Sequence, residues 1–333
     1  MKLAILGTGM IVQEGALPAL QQIKEIEVTA ILTRPKSLEK AKALSVRYSI
    51  PKIYTDYGEL LSQPDIDFVY VGLINSVHYE YTKKALLAGK NVIVEKPFAS
   101  TVAEIHELCE LAKEKELYVF EAVSLLHMPN FDAIRRMLPK LGTIRAVTAN
   151  YSQYSSRYDK YLHGEVTPAF DPQYSGGALY DINIYNLNLI IGLFGAPENV
   201  TYTPNIGFNG IDTSGIVLLK YPGFFATALG AKDTESPCFA IIQGENGWLR
   251  TIGAPNQLKA FEIHMHNSGI TTHYELNRYE HRLVHEFQEF FRIYSEKDKQ
   301  TMLNGLSISL TVMQTAEIAR KQAGIRFGWS VVK

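Results

Sequence analysis

The chain has 333 residues, 46% of them hydrophobic and 20% charged, with 33 Lys+Arg against 34 Asp+Glu. That apolar content excludes a disordered chain, and the balanced charge argues against binding nucleic acid by phosphate neutralisation. The length suits about two domains.

Lys2–Leu6 is a short apolar run ending at glycine, the pattern of a strand buried on both faces. A helix-like segment follows over 11–23, then a β-branched run over 28–32 and a Lys/Glu/Ala-rich helix over 37–48. Strands are predicted at 68–73, 91–94 and 117–122, with helices at 78–88 and 102–115 between them. Strand–helix–strand alternation at this spacing is the pattern of a doubly wound parallel sheet. A further helix-like segment starts after Pro129. From there the pattern changes. A strand at 143–154 leads into an aromatic and polar loop holding Tyr154, Tyr158, Tyr161, His163, Phe170 and Tyr174, then a helix over 178–194. Strands separated by turn clusters run from 200 to 274, and helices are expected at 283–294 and 306–321. Consecutive strands with little helix between them predict an open, mostly antiparallel sheet. The expected division is 1–122 and 123–333, an α/β fold in both parts. Cys109 and Cys238 cannot make a disulfide framework and are expected to be reduced thiols. No signal-peptide pattern opens the chain, and no apolar run reaches the ~18 residues of a membrane span. A cytoplasmic protein with no membrane or nucleic-acid partner is expected.

Four places along the chain carry chemistry. Gly7-Thr8-Gly9 follows the first strand and opens the first helix. There Gly7 allows a tight turn and Gly9 lets a pyrophosphate approach the helix N-terminus, although Val12 stands where a third glycine or alanine is usual. At the end of the second strand Thr33 and Arg34 replace the acidic residue that binds an NAD ribose, which leans the site to NADP, with NAD still open. Lys96 stands at the carboxyl end of the fourth strand before Pro97, where a ligand sits in such sheets and where the following proline keeps the backbone extended. Asp181 and Tyr185 are four residues apart and share a face if 178–194 is a helix. A free tyrosine is a poor base at neutral pH, but an adjacent ammonium stabilises its phenolate. Lys96 and Tyr185 are therefore a candidate acid/base pair, with Asp181 orienting the lysine or a substrate hydroxyl. A metal hydrolase built on His264, His266, His281 and His285 fails on ligand type and spacing, so no metal is expected.

Together with Asn75-Ser76-Val77-His78, Gly89 to Pro97, and Gly176-Gly177-Ala178-Leu179, these elements resemble the Gfo/Idh/MocA family. The resemblance spans nearly the whole chain. Tyr185, where many members have histidine, and Glu121-Ala122 with Pro129 are similar to the branch of glucose–fructose oxidoreductase and dimeric dihydrodiol dehydrogenase. Leu126 stands where arginine is common in that branch, and Leu73-Ile74 replaces a frequent Thr-Pro. The family implies a Rossmann domain, a second α/β domain with a large open sheet, and bound NAD(H) or NADP(H). It implies Gly7, Gly9, Met10 and Ile11 at the pyrophosphate, and Thr33 and Arg34 at the adenosine ribose. Leu73, Ile74, Asn75 and His78 fall around the nicotinamide half with Glu95 nearby, and Lys96, Asp181 and Tyr185 at the reaction centre. The expected reaction is hydride transfer between nicotinamide and a carbinol or carbonyl carbon of a sugar, polyol or cyclic diol. Tyr154, Arg157 and His163, in the aromatic loop, are expected to line the substrate pocket. A non-catalytic dinucleotide-binding sensor of the same fold is the alternative, disfavoured by the intact Lys96/Asp181/Tyr185 set. Ile241, Leu249 and Ile252 suggest a sheet face covered by a second subunit, giving a homodimer or a dimer of dimers.

Overall fold

A computed structural model describes residues 1–328. Its contacts divide the chain into two units: Met1–Ala122 with His281–Ser307, and Val123–Glu280 with the chain from Ile308 onward.

The first unit is built on six parallel strands: β1 (Lys2–Leu6), β2 (Glu27–Leu32), β3 (Lys52–Tyr54), β4 (Phe68–Val71), β5 (Asn91–Glu95) and β6 (Val119–Ala122). Their order is β3-β2-β1-β4-β5-β6, so the winding direction reverses between β1 and β4. Every residue of β4 and β6 is buried, as expected of strands covered on both faces. The helix Val102–Glu114 starts at a capping box: Thr101 Oγ1 accepts from the Glu104 N–H at 3.2 Å, and the Thr101 N–H donates to Glu104 Oε2 at 3.0 Å. The helix Leu283–Ser295 returns to this unit. Its Tyr294 meets Phe68 edge-on at 4.9 Å, its Phe290 stacks on Phe120 at 4.5 Å, and its Phe287 lies 5.7 Å from Tyr70. A division of the chain into 1–122 and 123–333 therefore misplaces 281–307: an amphipathic pattern shows that a helix has an apolar face, not which sheet it covers.

The second unit carries an eight-stranded sheet: β7 (Ile144–Ser152), β8 (Asn199–Ile206), β9 (Asp212–Tyr221), β10 (Phe224–Ala231), β11 (Phe239–Gly244), β12 (Gly247–Ile252), β13 (Ala260–Met265) and β14 (Ile270–Tyr274). The order is β14-β13-β12-β11-β7-β10-β9-β8. All its neighbours are antiparallel except β7 and β10, which run parallel at the centre. The helical stretch Leu179–Phe194 packs on one face, where Asn183 and Asn186 donate to the Ala228 and Leu229 carbonyls of β10 at 2.9 and 2.8 Å. A Cβ on Gly230 would lie 2.5 Å from that of Asn183, so glycine is what lets helix and strand approach here. The other face exposes Ile216, Leu218, Phe225 and Leu229. Leu249 is not among them. It is fully buried, and Ile252, three residues on, falls on the opposite face of the pleat. Among the described residues no helix is long and apolar enough to cross a membrane.

Candidate active site

The carboxyl ends of β1 and β4 meet at the reversal of winding, the place where open α/β sheets bind ligands. Glycines end both strands. Gly7 has φ +96°, and a Cβ there would lie 2.9 Å from Leu73 Cδ2 and 3.0 Å from the Gly72 carbonyl oxygen. A Cβ on Gly72 would meet Tyr70 and Val12 side chains at 2.8 Å. Gly9 differs: no atom lies within 4 Å of its Cβ position. It faces open space at the start of the helical stretch Ile11–Leu20, whose first part, Ile11–Ala16, is a π turn. Gln13 Nε2 closes the loop on the Thr8 carbonyl at 2.8 Å. This glycine cradle at a helix N-terminus fits a dinucleotide pyrophosphate. Met10 (56% exposed) and Ile74 (42%) are apolar side chains left uncovered on either side of it, in keeping with a flat ring system lying there. Ile11 is half-buried.

Thr33 is buried, and its N–H donates to the Tyr54 carbonyl at 2.9 Å, which carries the edge of the cradle onto β3. Arg34 is exposed and enters none of the ion pairs among the described residues. No carboxylate stands at the end of β2.

Leu73, Ile74 and Asn75 form the loop after β4. His78 opens the following helix but does not face outward. It is fully buried, with Nδ1 2.8 Å from the Pro97 carbonyl and Nε2 3.1 Å from the Leu73 carbonyl. Burial holds its pKa below the ordinary 6.5, against the pull of those two carbonyls. A neutral imidazole donates only once. The ring therefore donates to one of these two carbonyls, and its tautomer decides which. Lys96, at the end of β5, is half-buried, and the Lys96–Pro97 peptide is cis. Glu95 is buried and accepts from the Tyr70 hydroxyl at 2.6 Å. Glu121 accepts from the Phe98 N–H at 2.8 Å. Glu286, on the returning helix, is fully buried, and among the described residues neither carboxyl oxygen has a hydrogen-bond partner. Burial, reinforced by Glu95, pushes it well above the ordinary carboxylate range.

In the second unit, Gly177 (φ +98°) precedes the helical stretch that carries Asp181 and Tyr185. Its missing side chain admits Asp212: a Cβ would lie 2.2 Å from Asp212 Oδ1. The buried Asp212 accepts from the Leu179 N–H at 2.6 Å and the Tyr202 hydroxyl at 2.7 Å, so it caps this helix from β9. The stretch opens as a π turn, Leu179–Asn183, before becoming α-helical. The helical stretches after Gly9 and after Gly177 thus both open in π turns, a form often found at functional sites. Asp181 is 35% exposed at its side chain and pairs with Lys232 at 2.7 Å. Tyr185 is 7% exposed and packs on Tyr151, ring centroids 5.9 Å apart.

Tyr151 also lines a cavity of about 550 Å³ with Ser152, Gln153, Ser236, Cys238 and Gln257. Tyr154, Arg157 and His163 are not among its walls. Tyr154 donates to Asp159 at 2.7 Å, the Arg157 N–H donates to Ser155 Oγ at 3.3 Å, and His163 Nδ1 turns back to the Asp159 carbonyl at 2.6 Å. Tyr154 and His163 thus make local bonds within the loop. Gly72, Lys232 and Asp212 were not singled out from the sequence. Gly72 alone had a legible signal, a glycine ending an apolar strand as Gly7 does.

Residues 1–123 match the model of an oxidoreductase family with an NAD-binding Rossmann fold, and 131–250 match the GFO/IDH/MocA C-terminal domain. The chain is 33% identical over 326 residues to the scyllo-inositol 2-dehydrogenase (NADP(+)) IolU of Bacillus subtilis, covering 97% of each. It is 32% identical over 237 residues to the trans-1,2-dihydrobenzene-1,2-diol dehydrogenase of Xenopus tropicalis, covering 70% of this chain and 69% of that one. The solved aldose-aldose oxidoreductase of Caulobacter crescentus has the same fold, with a TM-score of 0.84, 97% coverage of both chains and 21% identity. With consecutive domains matched and a relative aligned almost end to end, the chain belongs to the GFO/IDH/MocA family of NAD(P)-dependent oxidoreductases.

Proposed function

We propose that the protein oxidises a secondary hydroxyl of a cyclic polyol, diol or sugar, reversibly and with NADP, and that Lys96 and Tyr185 are its acid/base pair. The observation that carries this reading is the lysine at the end of β5, one strand from the glycine cradle between β1 and β4. Gly7, Gly9, Met10 and Ile11 would hold the pyrophosphate. Thr33 and Arg34 would hold the adenosine ribose with its 2′-phosphate, and Leu73, Ile74 and Asn75 would flank the nicotinamide. When bound, the dinucleotide supplies the hydride acceptor or donor.

Tyr185 takes the hydroxyl proton during oxidation and returns it during reduction. Lys96 stabilises the oxyanion that develops on the substrate. Asp181 accepts a hydrogen bond from a neighbouring substrate hydroxyl. The cavity beside Tyr151 offers Ser152, Gln153, Ser236 and Gln257 to further hydroxyls. The substrate class follows the relatives, whose names give an inositol and a dihydrodiol as substrates. The test is a panel of scyllo-inositol, trans-dihydrobenzenediol and glucose with NADP+ and NAD+, followed by absorbance of the reduced cofactor. K96M and Y185F are expected to lose turnover and keep NADPH binding; retained turnover in either would falsify the assignment.

The bare face of the eight-stranded sheet is proposed as the contact with a second copy of the chain. Ile216 stands directly opposite Leu229, with Leu218 and Phe225 flanking them, an exposed apolar band across β9 and β10. A dimer in sedimentation, split by Phe225→Glu, is the expected outcome; a monomer at micromolar concentration overturns it.

A further inference from the structure

Lys232 follows β10 and is buried, its side chain 3% exposed. Its ammonium meets three groups. Asp181 Oδ2 lies at 2.7 Å, the Ala169 carbonyl oxygen accepts from it at 2.6 Å, and the Phe170 ring centroid is 4.3 Å away. Its backbone is fixed as well: the N–H donates to the Thr213 carbonyl, and the carbonyl accepts from the Ser155 N–H, both at 2.9 Å. An ammonium taken out of water is costly unless its charge and donors are met. Here an anion, a carbonyl and an aromatic face meet them.

Two other carboxylates stand near Lys232, and both are engaged elsewhere. Asp212 binds Leu179 and Tyr202, and Asp233 Oδ2 accepts from Thr213 and Ser214 hydroxyls at 2.7 and 2.8 Å. Asp181 is the one in ion-pair contact, and it is the one that remains partly open to solvent. The pair is therefore asymmetric: an immobile buried cation holds a reachable anion. That anion stands four residues before Tyr185 in the same helical stretch.

We infer that Lys232 is a positioning residue of the reaction. It fixes the direction of Asp181, so that Asp181 is a preset acceptor for a hydroxyl beside the reacting carbon, and this selects substrates that carry such a hydroxyl. The inference rests on the polyol oxidation proposed above. Lys232 itself touches neither substrate nor cofactor.

The test is a double-mutant cycle of K232M and D181N, assayed with scyllo-inositol, or with whichever panel member is turned over fastest. K232M is expected to lower kcat/KM roughly 10- to 100-fold through KM for the polyol, the size of a lost charge-assisted hydrogen bond. NADP+ affinity should be unchanged, and K232R should recover part of the loss. The double variant should be no worse than D181N, because Lys232 acts only through Asp181. Additive losses, or an unchanged KM in K232M, overturn the inference. If K232M does not fold, K232R with D181N/K232R gives the same comparison. Failure of the underlying reading looks different: K96M or Y185F would then retain turnover. An enzyme that K96M inactivates and K232M does not affect refutes the role of Lys232 alone.

Discussion

The imidazole of His78 is held 2.8 Å from the carbonyl of Pro97, the residue after Lys96. The same ring reaches the Leu73 carbonyl at 3.1 Å, so one buried side chain spans the two loops that would flank the nicotinamide. His78→Phe keeps the volume and removes the one N–H donor the ring offers these carbonyls. A stranded buried carbonyl costs about 1–3 kcal/mol, so the urea midpoint should fall clearly, and an unchanged midpoint contradicts the role. Burial depresses the imidazole below 6.5, so the unfolded chain takes up a proton before the folded one does. This group therefore costs stability as pH falls below about 6.5, and His78→Phe should flatten that part of the melting curve against pH.

Gly7 and Gly9 should fail in different ways when changed to alanine. Gly7→Ala forces a side chain into φ +96° and against Leu73, so the melting temperature should drop. Gly9→Ala meets no protein atom, so it should melt like the parent and lose at least tenfold in NADPH affinity by fluorescence titration. Normal cofactor binding in Gly9→Ala would remove the pyrophosphate from this cradle.

Arg34 is exposed and, among the described residues, has no ion-pair partner to lose. A charge-assisted hydrogen bond to a 2′-phosphate is worth roughly 1.5–3 kcal/mol. Arg34→Ala should therefore weaken NADP+ about 10- to 100-fold while leaving NAD+ nearly unchanged. Equal losses for both cofactors would point to stacking on the adenine instead.

Glu286 is buried near Glu95 and Glu121, and its carboxyl holds its proton far above the usual range, with Arg282 pulling the other way. The unfolded chain releases that proton near 4.5, the folded one much later. Stability from this group is thus greatest in acid and declines as pH rises through neutrality. Glu286→Gln, neutral throughout, should narrow the difference in melting temperature between pH 6 and pH 8.5. A parallel pair of curves refutes the assignment.

The parallel strands were legible because burial on both faces turns each into a continuous apolar run; β1 is observed over the residues that its run marks, and β4 and β5 begin where theirs do. The strand Lys52–Tyr54 and the helix Tyr57–Leu61 were not, since three and five residues carry no period. Gly7 and Gly9 could be read from their place between strand and helix. His78 was visible as a residue type, but its partners are two main-chain carbonyls, whose direction no side-chain pattern reports. Lys232 was invisible for a related reason: Asp181 lies 51 positions earlier, and only the packing of Leu179–Phe194 on β10 joins them.

The aromatic cover over Phe68, Tyr70 and Phe120 comes from residues near the far end of the chain. During translation the amino-terminal sheet emerges first and must wait, one side bare, until Phe287, Phe290 and Tyr294 leave the ribosome. Expressing the dinucleotide module alone, cut at Ala122, should therefore yield aggregates, whereas a fusion that restores His281–Ser307 should give a soluble product.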